Sequence, residues 1–384
     1  MFCAVIGLYD VVQVITLNVP DSTFGLRLRP SLPGATIYPD FVTPYAAVHA
    51  YLEGKQALIY DHAKFTVFLN NFYGHRLELG SQWFLYPPVW ILALLPLCLL
   101  PVNLACAIFM VGTAAASAFE SRRHLWGWLA VATSPAAVWV VLSGQNSFLY
   151  IALIYGGMRL LDRAPVAAGM LLGLLVYKPQ ICLLVPLALL AARQWKALAW
   201  MLATGTSLVL ASLAVFGLDF WLDYIDMTRH LSDPDVLDVW APRRPTYLVS
   251  TFIAARILQL PNSIASALQF AAAILAAGSV WFAFRRHPSS ATRTAVLAVA
   301  TFLVSPYATQ YDLILLLPAA LVLYRRGAAT GFYPLEPLLY PLLWVAPTVV
   351  LWLRGLLPLT PLVVLAFGLV AVLRLRAERS DQPA

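Results

Sequence analysis

Charge is what this sequence has least of. Lysine, arginine, aspartate and glutamate make up 11% of its 384 residues, while 61% are hydrophobic. That leaves far fewer polar side chains than a water-soluble globule of this size displays, so water is excluded as the main solvent. Cysteine is sparse too. Cys3, Cys98, Cys106 and Cys182 all stand in apolar segments without a CxxC spacing, which reads as packing and argues against a disulfide framework. His62 and His75 lack ligand spacing with one another, and no metal site is expected. The net charge of +7 does not point to nucleic acid, because the basic residues fall at the ends of apolar runs, as in SRRH and YRR, and form no single patch.

What is present is a succession of long apolar runs punctuated by short Arg-rich tips, the pattern of an all-α polytopic membrane protein. The tips are Arg122-Arg123, Arg159 with Arg163, Arg193 with Lys196, Arg285-Arg286, Arg325-Arg326, and Arg374 with Arg376 and Arg379. If all face the cytoplasm, successive tips are separated by even numbers of spans. Two segments must then stay on one side. Tyr86–Leu100, opened by YPP and interrupted by Pro96, reads as re-entrant or interfacial, and Tyr247–Leu260 as a surface helix. The sum is about twelve spans with both termini inside, all in one integral-membrane domain covering 1–384. Phe2–Val19 reads as an uncleaved first span, since it has neither the basic flank nor the small-residue cleavage site of a signal peptide.

This topology sends the polar segments to one face. Two long outer loops, 20–84 and 217–246, join the short turns SGQNS, YKPQ and SPYATQYD there. In the first loop, Thr43 as cap, Pro44 at the first helical position and Gly54 as stop mark a short helix, with Asp40 on the turn entering it. Asp61 caps a second helix whose Phe65, Phe68, Leu69 and Phe72 fall at amphipathic spacing, as in a helix lying in the headgroup region. Asp40 either caps and solubilises its loop or, shielded by Tyr38, Pro39 and Phe41 at the bilayer surface, takes a proton from a sugar hydroxyl.

The other outer-face residues carry two readings each. Lys178 either snorkels to headgroups or, against the positive-inside trend, binds a phosphate. Gln145 and Asn146 make a turn and a cap, and their amides can also hold sugar hydroxyls. Asp312, after Gln310 and Tyr311, either caps the next span or joins the site. Tyr86 shapes the re-entrant segment, and its ring can stack on a sugar. Arg243 and Arg244 either pair with Asp233, Asp235 or Asp238, or flank the phosphate.

The ordered set DF before an amphipathic helix, then ALIYD, YPP, SGQNS, AGMLLGLLVYKPQ and SPYATQYD resembles glycosyltransferase family 87, of the GT-C fold, over about Ala35–Leu317. The resemblance implies an inverting membrane enzyme that takes a sugar, best known as mannose, from a polyprenyl monophosphate and passes it to a lipid or glycan acceptor outside the cytoplasmic membrane. It places the essential acid at Asp40, as general base or acceptor ligand. It calls for no nucleotide cofactor, consistent with the missing Gly-rich phosphate loop. A transporter or flippase of a lipid-linked substrate is the competing class, expected to show midplane charges and paired broken helices.

Overall fold

The computed structural model describes residues 39–74, 83–121, 125–231, 248–286, 289–352 and 358–380, and among these the chain is helical, with no named strand. Phe2–Val19, Arg122-Arg123 and residues 232–246 of the 217–246 loop, including Arg243 and Arg244, lie outside the described residues.

The first three helices, α1 (Pro39–Leu52), α2 (His62–Phe72) and α3 (Pro88–Leu94), are short. α2 starts as its sequence dictates. The Asp61 carboxylate accepts from the Lys64 amide at 3.1 Å, and Phe65 and Leu69, one turn apart, are buried. α1 departs from expectation: Thr43-Pro44 signals a helix start, yet the helix already runs from Pro39, placing Pro44 inside it and Asp40 in the first turn. Pro44 has no N–H to give the Asp40 carbonyl, a lost helical bond. Burial of Phe41, Val42, Ala46, Ala47 and Val48 outweighs it. α3 spans about 10 Å at 1.5 Å per residue, too short to cross a bilayer by itself, and passes through Pro96 into a 3-10 turn at Leu97–Leu99.

Next come α4 (Val102–Ser121), α5 (Leu125–Ala132), α6 (Pro135–Ser143), α7 (Ser147–Leu160) and α8 (Pro165–Gly173). The α6–α7 junction is tight because Gly144 adopts φ 68°, a left-handed conformation that side chains resist. α8 continues as the 3-10 turn Leu174–Tyr177, followed by α9 (Pro179–Cys182), α10 (Val185–Ala191) and α11 (Trp195–Phe216). The AGMLLG stretch explains how α8 meets α11. A Cβ at Gly169 would strike the Ala197 carbonyl, and one at Gly173 would lie 2.7 Å from the Met201 carbonyl oxygen. Only a small-xxx-small face lets the two backbones approach so closely. That contact fixes the turn leading to Lys178.

The 217–246 segment begins as a helix the sequence does not announce, α12 (Leu218–Leu231), whose Phe220 and Met227 are buried two turns apart. α13 (Thr251–Ile257) is too short to cross, as expected. It is not a surface helix, however: Phe252, Ile253, Ala254 and Ala255 are buried, and the Phe252 amide donates to Gln269 Oε1 at 3.1 Å. The remainder comprises α14 (Asn262–Arg285), α15 (Ser290–Val304), a 3-10 turn at Gln310–Leu315, α16 (Leu316–Thr330), α17 (Glu336–Trp352) and α18 (Leu359–Ser380). α15 is buried continuously from Thr292 to Phe302, the signature of a central helix packed on all sides. Among the described residues, four segments are long and apolar enough to cross a membrane: Trp195–Phe216, Asn262–Arg285, Gln310–Thr330 and Leu359–Ala377.

Helix direction sorts the polar residues into two layers. α7 leaves the SGQNS turn and ends at Arg159, and α8 returns toward Lys178. α15 starts beside Arg293 and ends before Ser305, while the Gln310–Thr330 segment carries Asp312 at its start and Arg325-Arg326 near its end. At the basic ends Asp162 pairs with Arg293 and accepts from Gln194 at 3.3 Å, and Arg326 donates to Ser289 at 3.2 Å. The length of α7, 14 residues, separates the layers by about 20 Å.

Candidate active site

The polar turns meet in one hydrogen-bonded chain. Gln145 Nε2 donates to Asp40 Oδ2 at 2.6 Å, and Gln145 Oε1 accepts from the Tyr86 hydroxyl at 3.3 Å. The Tyr86 oxygen accepts from Asn146 Nδ2 at 2.9 Å, and Asn146 Oδ1 accepts from the Lys178 ammonium at 3.4 Å. Lys178 then reaches Asp312 Oδ1 at 3.1 Å. A carboxylate only accepts and an ammonium only donates, so the two ends dictate the orientation of both amides and of the phenol between them. Charge separation at the ends polarises every intervening bond in the same sense.

Each element contributes for a local reason. Asp40 sits in the first turn of α1, at the positive end of its dipole. The Tyr60 hydroxyl donates to the Tyr86 carbonyl at 2.9 Å and holds the YPP segment. Asn146 occupies the N-cap of α7 but makes no side-chain cap bond, because its amide is committed to Tyr86 and Lys178. Asp312 caps its turn and pairs with Lys178 at once. It closes a capping box with Thr309, whose hydroxyl reaches Oδ2 at 2.8 Å, while Oδ1 takes Lys178 and the Tyr150 hydroxyl at 2.7 Å.

Lys178 does not snorkel. Its side chain is 7% exposed, against 8% for Asp312, and its ammonium lies 4.7 Å from the centre of the Tyr150 ring. Beneath it Tyr177 stacks on Trp90 at 4.5 Å. Asp40, by contrast, is half-buried, which makes it the carboxylate of this network that an incoming molecule can meet. Burial, reinforced by the Asp40 and Asp312 carboxylates, pushes the Tyr86 phenol well above its ordinary range, so it stays protonated and donates.

Gln310 is fully buried, and both polar atoms of its side chain lack a hydrogen-bond partner among the described residues. Tyr311 is half-buried, within electrostatic reach of Asp40, Asp312 and Tyr86. His49 faces away from Asp40, with Nε2 3.1 Å from the Cys98 carbonyl. Tyr150 and Thr309 were not singled out from the sequence. The signal for Tyr150 was its position one turn after Asn146 on the same helix face.

A family model, "Glycosyltransferase family 87", matches residues 84–306, more than half of the chain. The chain belongs to glycosyltransferase family 87. This is a GT-C-type family, so the protein is a membrane glycosyltransferase with a sugar donor and an acceptor, and the transporter reading is disfavoured. No curated protein and no solved structure matches the chain. The matched stretch contains Tyr86, Gln145, Asn146 and Lys178, while Asp40 and Asp312 lie outside it and are joined to it by the hydrogen bonds above.

Proposed function

We propose that this glycosyltransferase moves a hexose, mannose by the family resemblance, from a polyprenyl-phosphate sugar to a lipid or glycan acceptor at the outer face of the cytoplasmic membrane. The observation that carries the reading is the continuous link from half-buried Asp40 to buried Lys178 and Asp312, at the helix ends opposite the basic turns. Basic turns favour the cytoplasm, which supports a site on the outer face. The accompanying architecture is a GT-C arrangement of about twelve spans with both termini inside, the shorter apolar helices such as Ser147–Leu160 and Ser290–Val304 counting among them.

In this mechanism Asp40 takes the proton of the acceptor hydroxyl as that oxygen attacks the anomeric carbon. The bond from that carbon to the phosphate oxygen breaks, configuration inverts, and polyprenyl phosphate departs with the bonding pair. Gln145 holds the Asp40 carboxylate in register. An ammonium has three donors; with two directed at Asp312 and Asn146, the third is assigned to the donor phosphate, with Arg243 and Arg244 flanking it. Tyr86, Asn146, Gln310 and Tyr311 are assigned to the sugar or acceptor. The reaction so written calls on no nucleotide and no metal.

The test is transfer of labelled mannose from polyprenyl-phosphate mannose to a panel of glycolipid acceptors by purified protein in lipid, beside Asp40→Asn. Product with the wild type and a loss of at least about a hundredfold in the variant, the scale of general-base catalysis, is expected. Equal transfer by both proteins refutes Asp40 as the base, and transfer by neither points to another sugar or to transport.

A further inference from the structure

Away from the site, a groove of about 290 Å³ opens between α5, α16 and α17. Its wall is built from Val131, Leu317, Leu321, Tyr324, Tyr340 and Trp344. The polar atoms of two of these aromatics are turned into the protein: Trp344 Nε1 donates to the Ala130 carbonyl at 3.0 Å, and the Tyr340 hydroxyl donates to Glu336 Oε1 at 2.6 Å. What remains facing the groove is largely hydrocarbon. The seven-residue advance from Leu317 to Tyr324 makes it about 10 Å long, and it lies within the Gln310–Thr330 segment, which is long and apolar enough to cross a membrane.

One end of the groove is charged. Arg325 stands one turn beyond Leu321 on the same stripe of α16 and is exposed, with no ion pair to any described residue. Behind it are Arg326 and Arg374. Glu336 is committed to Arg374, which also donates to Thr330 and to the Gly331 carbonyl. Positive charge is therefore in surplus where the hydrocarbon wall ends. An apolar slot capped by a surplus arginine is complementary to an alkyl chain that carries an anionic head, and a zwitterionic head would leave that charge unmatched.

We propose that this groove is a binding site for one anionic glycerophospholipid, its acyl chain along Leu317–Tyr324 and its phosphate at Arg325. Its phosphate end, at Arg325, lies at the basic ends of the helices, about 20 Å from the Asp40 layer by the length of α7, while the slot starts at Leu317, about 8 Å along the same segment from Asp312; it shares no lining residue with the sugar-transfer site and is independent of its assignment.

The experiment is native mass spectrometry of the protein released from nanodiscs of equal phosphatidylglycerol and phosphatidylcholine. The wild type should retain one phosphatidylglycerol in preference to phosphatidylcholine by about fivefold, the worth of one arginine at an anionic head. Arg325→Ala lies on the surface and should abolish that preference while one lipid is still retained. Leu321→Trp fills the slot and should cut retention of either lipid at least about tenfold, with an unchanged melting profile as the check on folding. Equal retention of the two lipids by the wild type overturns the proposal. So does an undiminished preference in Arg325→Ala, or wild-type retention by folded Leu321→Trp.

Discussion

Lys178→Met separates what the buried ammonium does for the fold from what it does for transfer. In the wild type Lys178 and Asp312 are 7% and 8% exposed and 3.1 Å apart. Removing one member of such a pair leaves the other as an uncompensated buried charge, at a cost of about 3–5 kcal/mol. Asp312 would keep the Tyr150 hydroxyl at 2.7 Å and the Thr309 hydroxyl at 2.8 Å, which places Lys178→Met at the lower end, about 3 kcal/mol. Adding Asp312→Asn removes the stranded charge while its remaining carbonyl can still accept from Tyr150. The double variant should therefore regain at least about 1 kcal/mol, within the usual coupling of contacting residues. Equilibrium unfolding in mixed micelles measures this, and sugar transfer is assayed on the same samples. Transfer should stay at least about a hundredfold down in both variants, the cost of losing a group that stabilises a departing oxyanion. Equal destabilisation in the single and double variants would refute the buried pair. Recovery of transfer along with stability would show that Lys178 only holds the fold.

Gln145→Ala removes the amide that donates to Asp40 at 2.6 Å. A hydrogen bond to a charged group is worth about 1.5–3 kcal/mol, so kcat should fall about tenfold to a hundredfold with donor KM little changed; a rise in KM alone would make Gln145 a sugar ligand. Gly173→Ala drives a methyl to 2.7 Å from the Met201 carbonyl oxygen and should destabilise by about 1–3 kcal/mol. Gly278→Ala, where nothing lies within 4 Å of the added carbon, should be neutral or stabilising by about 0.5–1 kcal/mol. The two melting curves side by side decide whether α8 is held against α11 by close backbone contact.

Much of the site was readable because its residues break local rules. A lysine on the non-basic side of an apolar chain, an aspartate beside aromatics, and amides after Gly144 are all out of place in a greasy sequence, and each of the described ones lies in the hydrogen-bonded chain. Family 87 was legible for the same reason, since its motifs are these exceptions taken in order. Arg243 and Arg244 lie outside the described residues. The start of α1 was misjudged because Pro44 is usually a first-turn residue; burial of its flanks keeps it inside the helix instead. α12 was missed because its charged residues were taken for loop polarity; Asp219, Asp223 and Asp226 instead stand at helical spacing on the exposed face of an amphipathic helix, whose Phe220 and Met227 are buried, the Phe220 ring 4.8 Å from that of Tyr60.

The sequence by itself determined the solvent, the helical class and the family, because these depend on composition, on the spacing of apolar runs and on short ordered motifs, all local properties of the chain. Only the tertiary structure decided which partner each polar group takes. Asp40 meets Gln145 across 105 positions, and Lys178 meets Asp312 across 134. Pairings at that separation follow from how helices pack, which no local pattern encodes.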